Sequence, residues 1–283
     1  MNASTAARNP QADRQPDGPQ SGSGTGPQSG PGGAHTETGG TDNSSAEPWC
    51  SDPYADALRA GRGPLFLRRT DGWLLPLEVE RWCAGADPAD MSVLERCEGT
   101  VLDIGCGPGR LVAALAGQGT PTLGIDTSTA AVARTRRLGG AALRRSVFDP
   151  LPGEGHWRSV LLLDGNIGIG GDAAGLLDRA AQLLAPDGLL LAEAAPAEVE
   201  ETVQVRLDDG SGGSGAAFPW VRLGPEALRR CAESAGWSLV EQWCCYERSF
   251  LSLRSPRRSG PHHTSTQPAA SAVPASESSQ LSG

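Results

Sequence analysis

The sequence predicts a doubly wound α/β fold. Its centre is a mostly parallel, seven-stranded, Rossmann-like sheet that closes with a C-terminal antiparallel strand pair, and a helical and hairpin cap precedes it. Three observations predict this. From residue 99 onward, short apolar runs alternate with helical segments, the pattern of parallel strands covered on both faces. A glycine turn, VLDIGCGPGR at 101–110, follows the first run. The last two strand-like segments are too close in sequence for a crossover helix, so they pair antiparallel.

Composition sets the limits of the fold. Residues 1–47 are almost wholly Gly, Ser, Pro, Gln, Thr, Asn and Asp, and residues 259–283 are rich in Ser, Pro and Ala. Neither stretch can bury enough apolar surface to offset the entropy of ordering, so both are expected to be disordered tails. Residues 48–258 remain, a size that suits one large domain. Within it, 48–98 reads as the cap and 99–258 as the sheet domain, with an insertion at 200–223.

The elements follow in order. PYADALRAG is a helix stopped by Gly61. LFLRRTDGWLLPL is a hairpin turning at Asp71-Gly72. PLEVERWCAG and ADMSVLERC are two more helices. TVLDIG is a strand buried on both faces, and RLVAALAGQG a helix with a glycine stop. TPTLGID is the second strand, and STAAVARTRRLGG a helix capped by Ser or Thr. AALRRSVFD and SVLLLDG are the third and fourth strands. GDAAGLLDRAAQLLAPDG is a helix capped by Asp172 and ended by Pro186, and LLLAEA is the fifth strand. ETVQVRLDDGSGGSGAAFPWVRLG breaks the rhythm as two strands joined by a Gly/Ser loop. A helix, GPEALRRCAESAGW, and the strands SLVEQWCCYER and SFLSLRS complete the chain.

Charge and residue usage exclude several function classes. The chain carries −9, with −3 in residues 1–47 and +1 in 257–283, leaving −7 for residues 48–256. A domain this acidic has no general attraction for nucleic acid or anionic lipid, so neither is expected as a partner. Arg134, Arg136, Arg137, Arg144 and Arg145 cluster in sequence and read as solvated faces. There is no lysine, which removes Schiff-base chemistry and a phosphate-loop lysine. The seven cysteines form no C-x-x-C, and no secretory leader or membrane-length apolar run is present, so reduced thiols and a cytoplasmic location are expected. His35, His262 and His263 fall in the tails and only His156 lies inside the fold, so no metal set is expected.

The glycine turn sits where open parallel sheets bind ligands, after the first strand. It departs twice from the dinucleotide fingerprint, with Asp103 before the turn and Arg110 where a third glycine belongs. Asp103 suits a cation such as an amino-acid ammonium and would repel phosphate. Asp126, ending the second strand, is placed to accept hydrogen bonds from ribose hydroxyls. An adenosine is thus supported and a pyrophosphate is not.

These residues resemble the class I S-adenosylmethionine-dependent methyltransferases. VLDIGCGPG looks like that family's first motif, and Asp126 matches its ribose-binding acid. Phe148-Asp149 matches the adenine-contacting position, and DGNIG at 164–168 falls at its fourth motif. The resemblance spans about residues 98–254. It implies that Asp103, Gly105, Gly107, Gly109, Asp126, Phe148 and Asp149 bind S-adenosyl-L-methionine, with the loop closing on its methionine part. Gly105 and Gly107 would let backbone approach the ligand, and Pro108 would fit the first helical turn. The methyl acceptor is expected to be a small molecule, because the N-P-P-[YF] signature of base-amino methyltransferases is absent. Asp164 and Asn166 are the candidate catalytic residues. Glu193 reads mainly as a strand end, His156 as a surface residue, and Cys106 as a buried filler. Two other readings stand beside this one: a nicotinamide-dependent oxidoreductase on the same fold, and a non-catalytic protein that holds the cofactor or its product.

Overall fold

A computed structural model of the chain describes residues 49, 52–212 and 214–256. The tails expected at 1–47 and 259–283 lie outside the described residues. The chain begins with α1 (Asp52–Ala60), the hairpin β1 (Phe66–Arg69) and β2 (Leu74–Pro76), α2 (Val79–Cys83) and α3 (Pro88–Leu94). The hairpin turns where Asp71-Gly72 predicts, with the Arg69 N–H donating to Trp73 O at 2.8 Å. Asp87 opens α3 with a reciprocal cap to Asp90, and Pro88 occupies the first turn.

Next come β3 (Val101–Ile104), α4 (Arg110–Gly117), β4 (Thr122–Asp126), α5 (Thr129–Arg137), β5 (Ala142–Arg144) and β6 (Trp157–Leu162). A short 3₁₀ segment (Asn166–Gly171) leads into α6 (Ala173–Leu183) and β7 (Leu184–Ala194). Then follow β8 (Glu200–Asp208), β9 (Ser214–Leu223), α7 (Pro225–Ser234), β10 (Ser238–Cys245) and β11 (Arg248–Arg254). Ser128 caps α5 and Asp172 caps α6, as their side chains predict.

Seven strands form one sheet in the order β10-β11-β7-β6-β3-β4-β5. The core of that sheet is parallel, and β11 runs antiparallel to both β7 and β10. The order reverses beside β3, so a crevice opens at the carboxyl ends of β3, β4 and β6. Alternate residues of the strands fill opposite faces. Leu102, Ile104, Val160, Leu162 and Leu190 pack under α6 and α7, whereas Val101, Leu161, Leu189 and Leu191 pack under α3 and α4.

Three boundaries differ from the sequence reading. The helix expected to run to Pro186 ends at Leu183, and the chain enters β7 directly. The third parallel strand ends at Arg144, because the Asp149 carboxylate accepts the Ser146 N–H and closes a turn there. Pro108 precedes α4 by two residues instead of sitting in its first turn, since Gly109 is the N-cap.

The larger departure is a second sheet. β8 and β9, the insertion, pair antiparallel with the cap hairpin in the order β2-β1-β8-β9. Leu67, Val205, Leu207, Phe218 and Trp220 from this sheet bury together with Tyr54, Leu58 and Trp82. Two segments more than a hundred residues apart thus form one layer over the crevice. Arg134, expected to be solvated, helps to fasten it: its guanidinium donates to the backbone oxygens of Leu58 and Cys83 at 3.1 and 3.2 Å.

Candidate active site

The glycine loop leaves the tip of β3 in a backbone conformation that demands glycine. Gly105, Gly107 and Gly109 have φ of 71°, 53° and 92°. A side chain at Gly105 would meet Asn166 Nδ2 at 2.6 Å, and one at Gly109 would meet Thr135 Oγ1 at 2.5 Å. Polar side chains hold the loop in place. The Asn166 amide donates to the carbonyls of Ile104 (2.9 Å) and Gly105 (3.1 Å). Asp126 accepts the Gly107 N–H at 2.9 Å and the Ser128 N–H at 2.8 Å. Cys106 is buried against Gly124 and Val112, as a small filler would be.

Asp103 lies on the same strand and is 2% exposed, and its Oδ2 has no hydrogen-bond partner. Burial pushes its carboxyl up to about 7, although the Arg110 charge pulls the other way. A buried acid in this state is set to receive a donor or a positive charge.

Two cavities meet at the loop. The smaller, about 90 Å³, is lined by Ile104, Ile125, Asp126, Thr127, Ser146 and Val147 among others. The larger, about 650 Å³, runs past Gly107, Pro108 and Arg110 to the cap, the insertion and the turn before β11. Trp49, Tyr54, Gly105, Asn166 and Trp220 line both. Phe148 and Asp149 line neither: Phe148 is 52% exposed, and the preceding residues Ser146 and Val147 face the small cavity instead. Early termination of β5 is the reason.

One wall of the larger cavity is a network of charges. Arg110, 5% exposed, grips Asp90 with two hydrogen bonds (2.7 and 2.9 Å) and reaches Asp164 at 2.7 Å. Arg248 donates to Asp90 at 2.9 Å and to both oxygens of Glu193 at 2.8 Å. Arg81 donates to Asp164 at 2.8 Å, and Glu193 accepts the Asp164 N–H at 2.7 Å. Burial works against ionisation of Asp90 and Asp164, but the guanidiniums prevail. Arg110 and Arg248 hold Asp90 down at about 2, and Arg110 and Arg81 lower Asp164. Asp164 is thus in the site and ionised, yet a weak base.

His156 is exposed in the loop before β6, at the amino end of that strand and away from the carboxyl-end crevice. The glycines after Asn166 serve packing. A side chain at Gly168 would stand 2.4 Å from the Trp220 ring, and one at Gly171 would stand 2.3 Å from Pro219. They let the 3₁₀ segment press against β9. Sequence reasoning missed Arg81, Asp90, Arg248 and Tyr54. ADMSVLERC reads as a helix with nothing to mark an ion pair at Asp90, and Arg110 stood out only as a break in a fingerprint.

Residues 83–242 match a family model described as a methyltransferase domain. The chain belongs to this family. It is a class I S-adenosylmethionine-dependent methyltransferase. The methyltransferase resembles an S-adenosylmethionine-dependent methyltransferase from Bacteroides fragilis, solved with S-adenosyl-L-homocysteine, at 21% identity and a TM-score of 0.63. That match covers 74% of this chain and 97% of the other. Weaker similarity links it to the 1,6-didemethyltoxoflavin-N1-methyltransferase of Burkholderia thailandensis (17% identity, TM-score 0.47, 61% and 79% of the two chains). The CcbJ methyltransferase of Streptomyces caelestis is similar at 17% identity and a TM-score of 0.47, over 59% and 88% of the two chains. No curated protein matches the sequence significantly.

The methyltransferase takes S-adenosyl-L-methionine as its cofactor, and the site fits that group. Gly107, where a side chain would meet nothing closer than the Tyr54 hydroxyl at 3.5 Å, would leave room for the group, whereas the space at Gly105 and Gly109 is filled by Asn166 and Thr135. Asp103 lines neither cavity but carries an unsatisfied Oδ2 on the strand that leads into the loop. Among the described residues, no helix is long and apolar enough to cross a membrane.

Proposed function

We propose that the enzyme methylates a small molecule seated in the larger cavity. The observation that carries this is the chamber itself. Its volume, about 650 Å³, falls within the range of small-ligand pockets, and Trp49, Leu67, Leu75, Leu77, Trp82 and Trp220 give it an apolar wall opposite the charged one. The fold's negative charge supports the same reading over nucleic acid.

Asp126 binds the ribose hydroxyls, and Gly105, Gly107 and Gly109 carry backbone along the methionine part. Asp103 receives its ammonium. Val147 and Ser146, which line the smaller cavity, take over the adenine contact expected of Phe148 and Asp149. S-adenosylmethionine supplies a methyl group already activated on a sulfonium. What the protein adds is alignment and exclusion of water, and orientation alone is worth roughly 7–11 kcal/mol of a barrier.

Asn166 serves as a positioning residue: by anchoring two loop carbonyls it sets the height of the loop. Asp164 holds the arginine network together, and with Glu193 it lies in ion pairs. Among the described residues that line the chamber, Glu78, Asp87, Asp164 and Glu193 are paired with arginines, and Glu247 is exposed in the turn before β11. The acceptor therefore arrives as a competent nucleophile, such as an uncharged amine, a thiolate or an ionised phenol.

The test uses methyl-labelled S-adenosylmethionine and a cell extract split into dialysable and macromolecular fractions. Label in the dialysable fraction is expected. Label confined to protein or nucleic acid would overturn the reading.

A further inference from the structure

We propose that Tyr54, on the cap helix α1, holds the amino-acid end of bound S-adenosylmethionine through its phenol group. The inference rests on the cofactor reading of the glycine loop given above.

Tyr54 is 4% exposed, yet its hydroxyl forms no hydrogen bond with the described residues. The hydroxyl is not one of the fully buried polar atoms without a partner, so it opens onto the cavities while its ring stays in the interior. Tyr54 lines both cavities, and its Oη lies 3.5 Å from where a side chain at Gly107 would begin. The hydroxyl therefore faces the loop at the junction of the two cavities. The ring is fixed by edge contact with Trp49, centroids 5.3 Å apart, and Trp49 in turn packs on Phe218 and Trp220.

The hydroxyl remains a hydrogen-bond donor at neutral pH. Burial, with the nearby Asp126 charge, raises its pKa well above the usual tyrosine value. A phenol can donate to a carboxylate or accept from an ammonium, so either group of the amino-acid end suits it. Tyr54 lies outside residues 83–242, the span that matches the family model. The cofactor site would thus include the cap as well as the sheet.

Titration calorimetry on the full chain tests this with two ligands. S-adenosylhomocysteine has the amino-acid end, and 5′-methylthioadenosine lacks it. Tyr54→Phe is expected to weaken the first about tenfold, as loss of a hydrogen bond to a charged group does, and to leave the second within about twofold. An unchanged affinity for S-adenosylhomocysteine, or an equal loss for both ligands, would overturn the proposal. Asp126→Ala separates the two levels of inference. If it weakens both ligands while Tyr54→Phe weakens neither, only the Tyr54 assignment fails; if Asp126→Ala binds both normally, the cofactor reading fails as well. Tyr54→Phe removes an oxygen with no protein partner, so its melting temperature should match the parent. A melting temperature that falls along with affinity would make Tyr54 a packing residue and overturn the proposal.

Discussion

The glycine loop and the chamber beside it are built in opposite ways. The loop draws on one short stretch, residues 103–110, with Asp126 and Asn166 reaching in to hold it. The chamber draws on the cap, the insertion, the 3₁₀ segment and the turn before β11. The loop's conformation is demanded locally, by positive φ angles that glycine tolerates. The chamber exists only because distant segments pack, and its polar wall balances three arginines against Asp90, Asp164 and Glu193. A cofactor common to many enzymes can be held by a local device. An acceptor specific to one enzyme is enclosed by parts free to vary.

That contrast can be broken most forcefully at Arg110. Arg110→Ala removes the most buried guanidinium that Asp90 and Asp164 share, leaving Asp90 only Arg248 and Asp164 only Arg81 and the longer Arg248 contact. It should cost about 3 kcal/mol, roughly 10 °C in melting temperature. A thermal melt that moves by less than about 2 °C would show that the network does not hold the chamber wall. On the loop side, Asp126→Ala should weaken S-adenosylhomocysteine by at least about tenfold, since hydrogen bonds to a charged group are worth roughly 1.5–3 kcal/mol. Calorimetry decides it, and undiminished affinity in a folded variant would remove the ribose assignment.

Gly171→Ala probes the seam between the two regions. The new side chain meets Pro219 at a residue with φ of 71°, so a loss of about 1–3 kcal/mol is expected. Gly165, also left-handed but with open space around it, should lose less on the same substitution. Equal losses in urea titrations would mean that backbone strain, not contact with the insertion, is what those glycines relieve.

The smallest effect is one of pH. Asp103 has a folded pKa raised to about 7, above that of an unfolded aspartate. The folded state then binds the proton more tightly, so the free enzyme should gain stability as pH falls from about 8 toward 5. Its melting temperature should rise by a few degrees over that range, and Asp103→Asn should flatten the slope. A slope unchanged by the substitution would assign the effect to another group.

The sequence was legible where structure is local. Alternating apolar runs marked the parallel strands, Ser128 and Asp172 marked helix starts, and Asp71-Gly72 marked the hairpin turn. The place of the glycine loop and of Asp126 at the carboxyl ends of the first two parallel strands was also legible, because strand order in such a sheet follows from connection rules. Less legible were the ends of elements. AALRRSVFD reads as one strand, but Asp149 hydrogen-bonds back to Ser146 and ends it early, which moves the cavity wall to residues 146 and 147.

By itself, then, the sequence determined the doubly wound sheet, its closing antiparallel pair and the glycine loop after the first parallel strand, because turn chemistry, capping and hydrophobic period act over a few residues. Only the tertiary structure decided that the cap hairpin and the insertion form one sheet, that Arg81, Arg110 and Arg248 converge on Asp90, Asp164 and Glu193, and that Tyr54 reaches the glycine loop. Those ion pairs join residues 20 to 158 positions apart, and their energy comes from burial and ion pairing after the chain has folded. Nothing in the spacing of an arginine along the chain says which carboxylate it will meet.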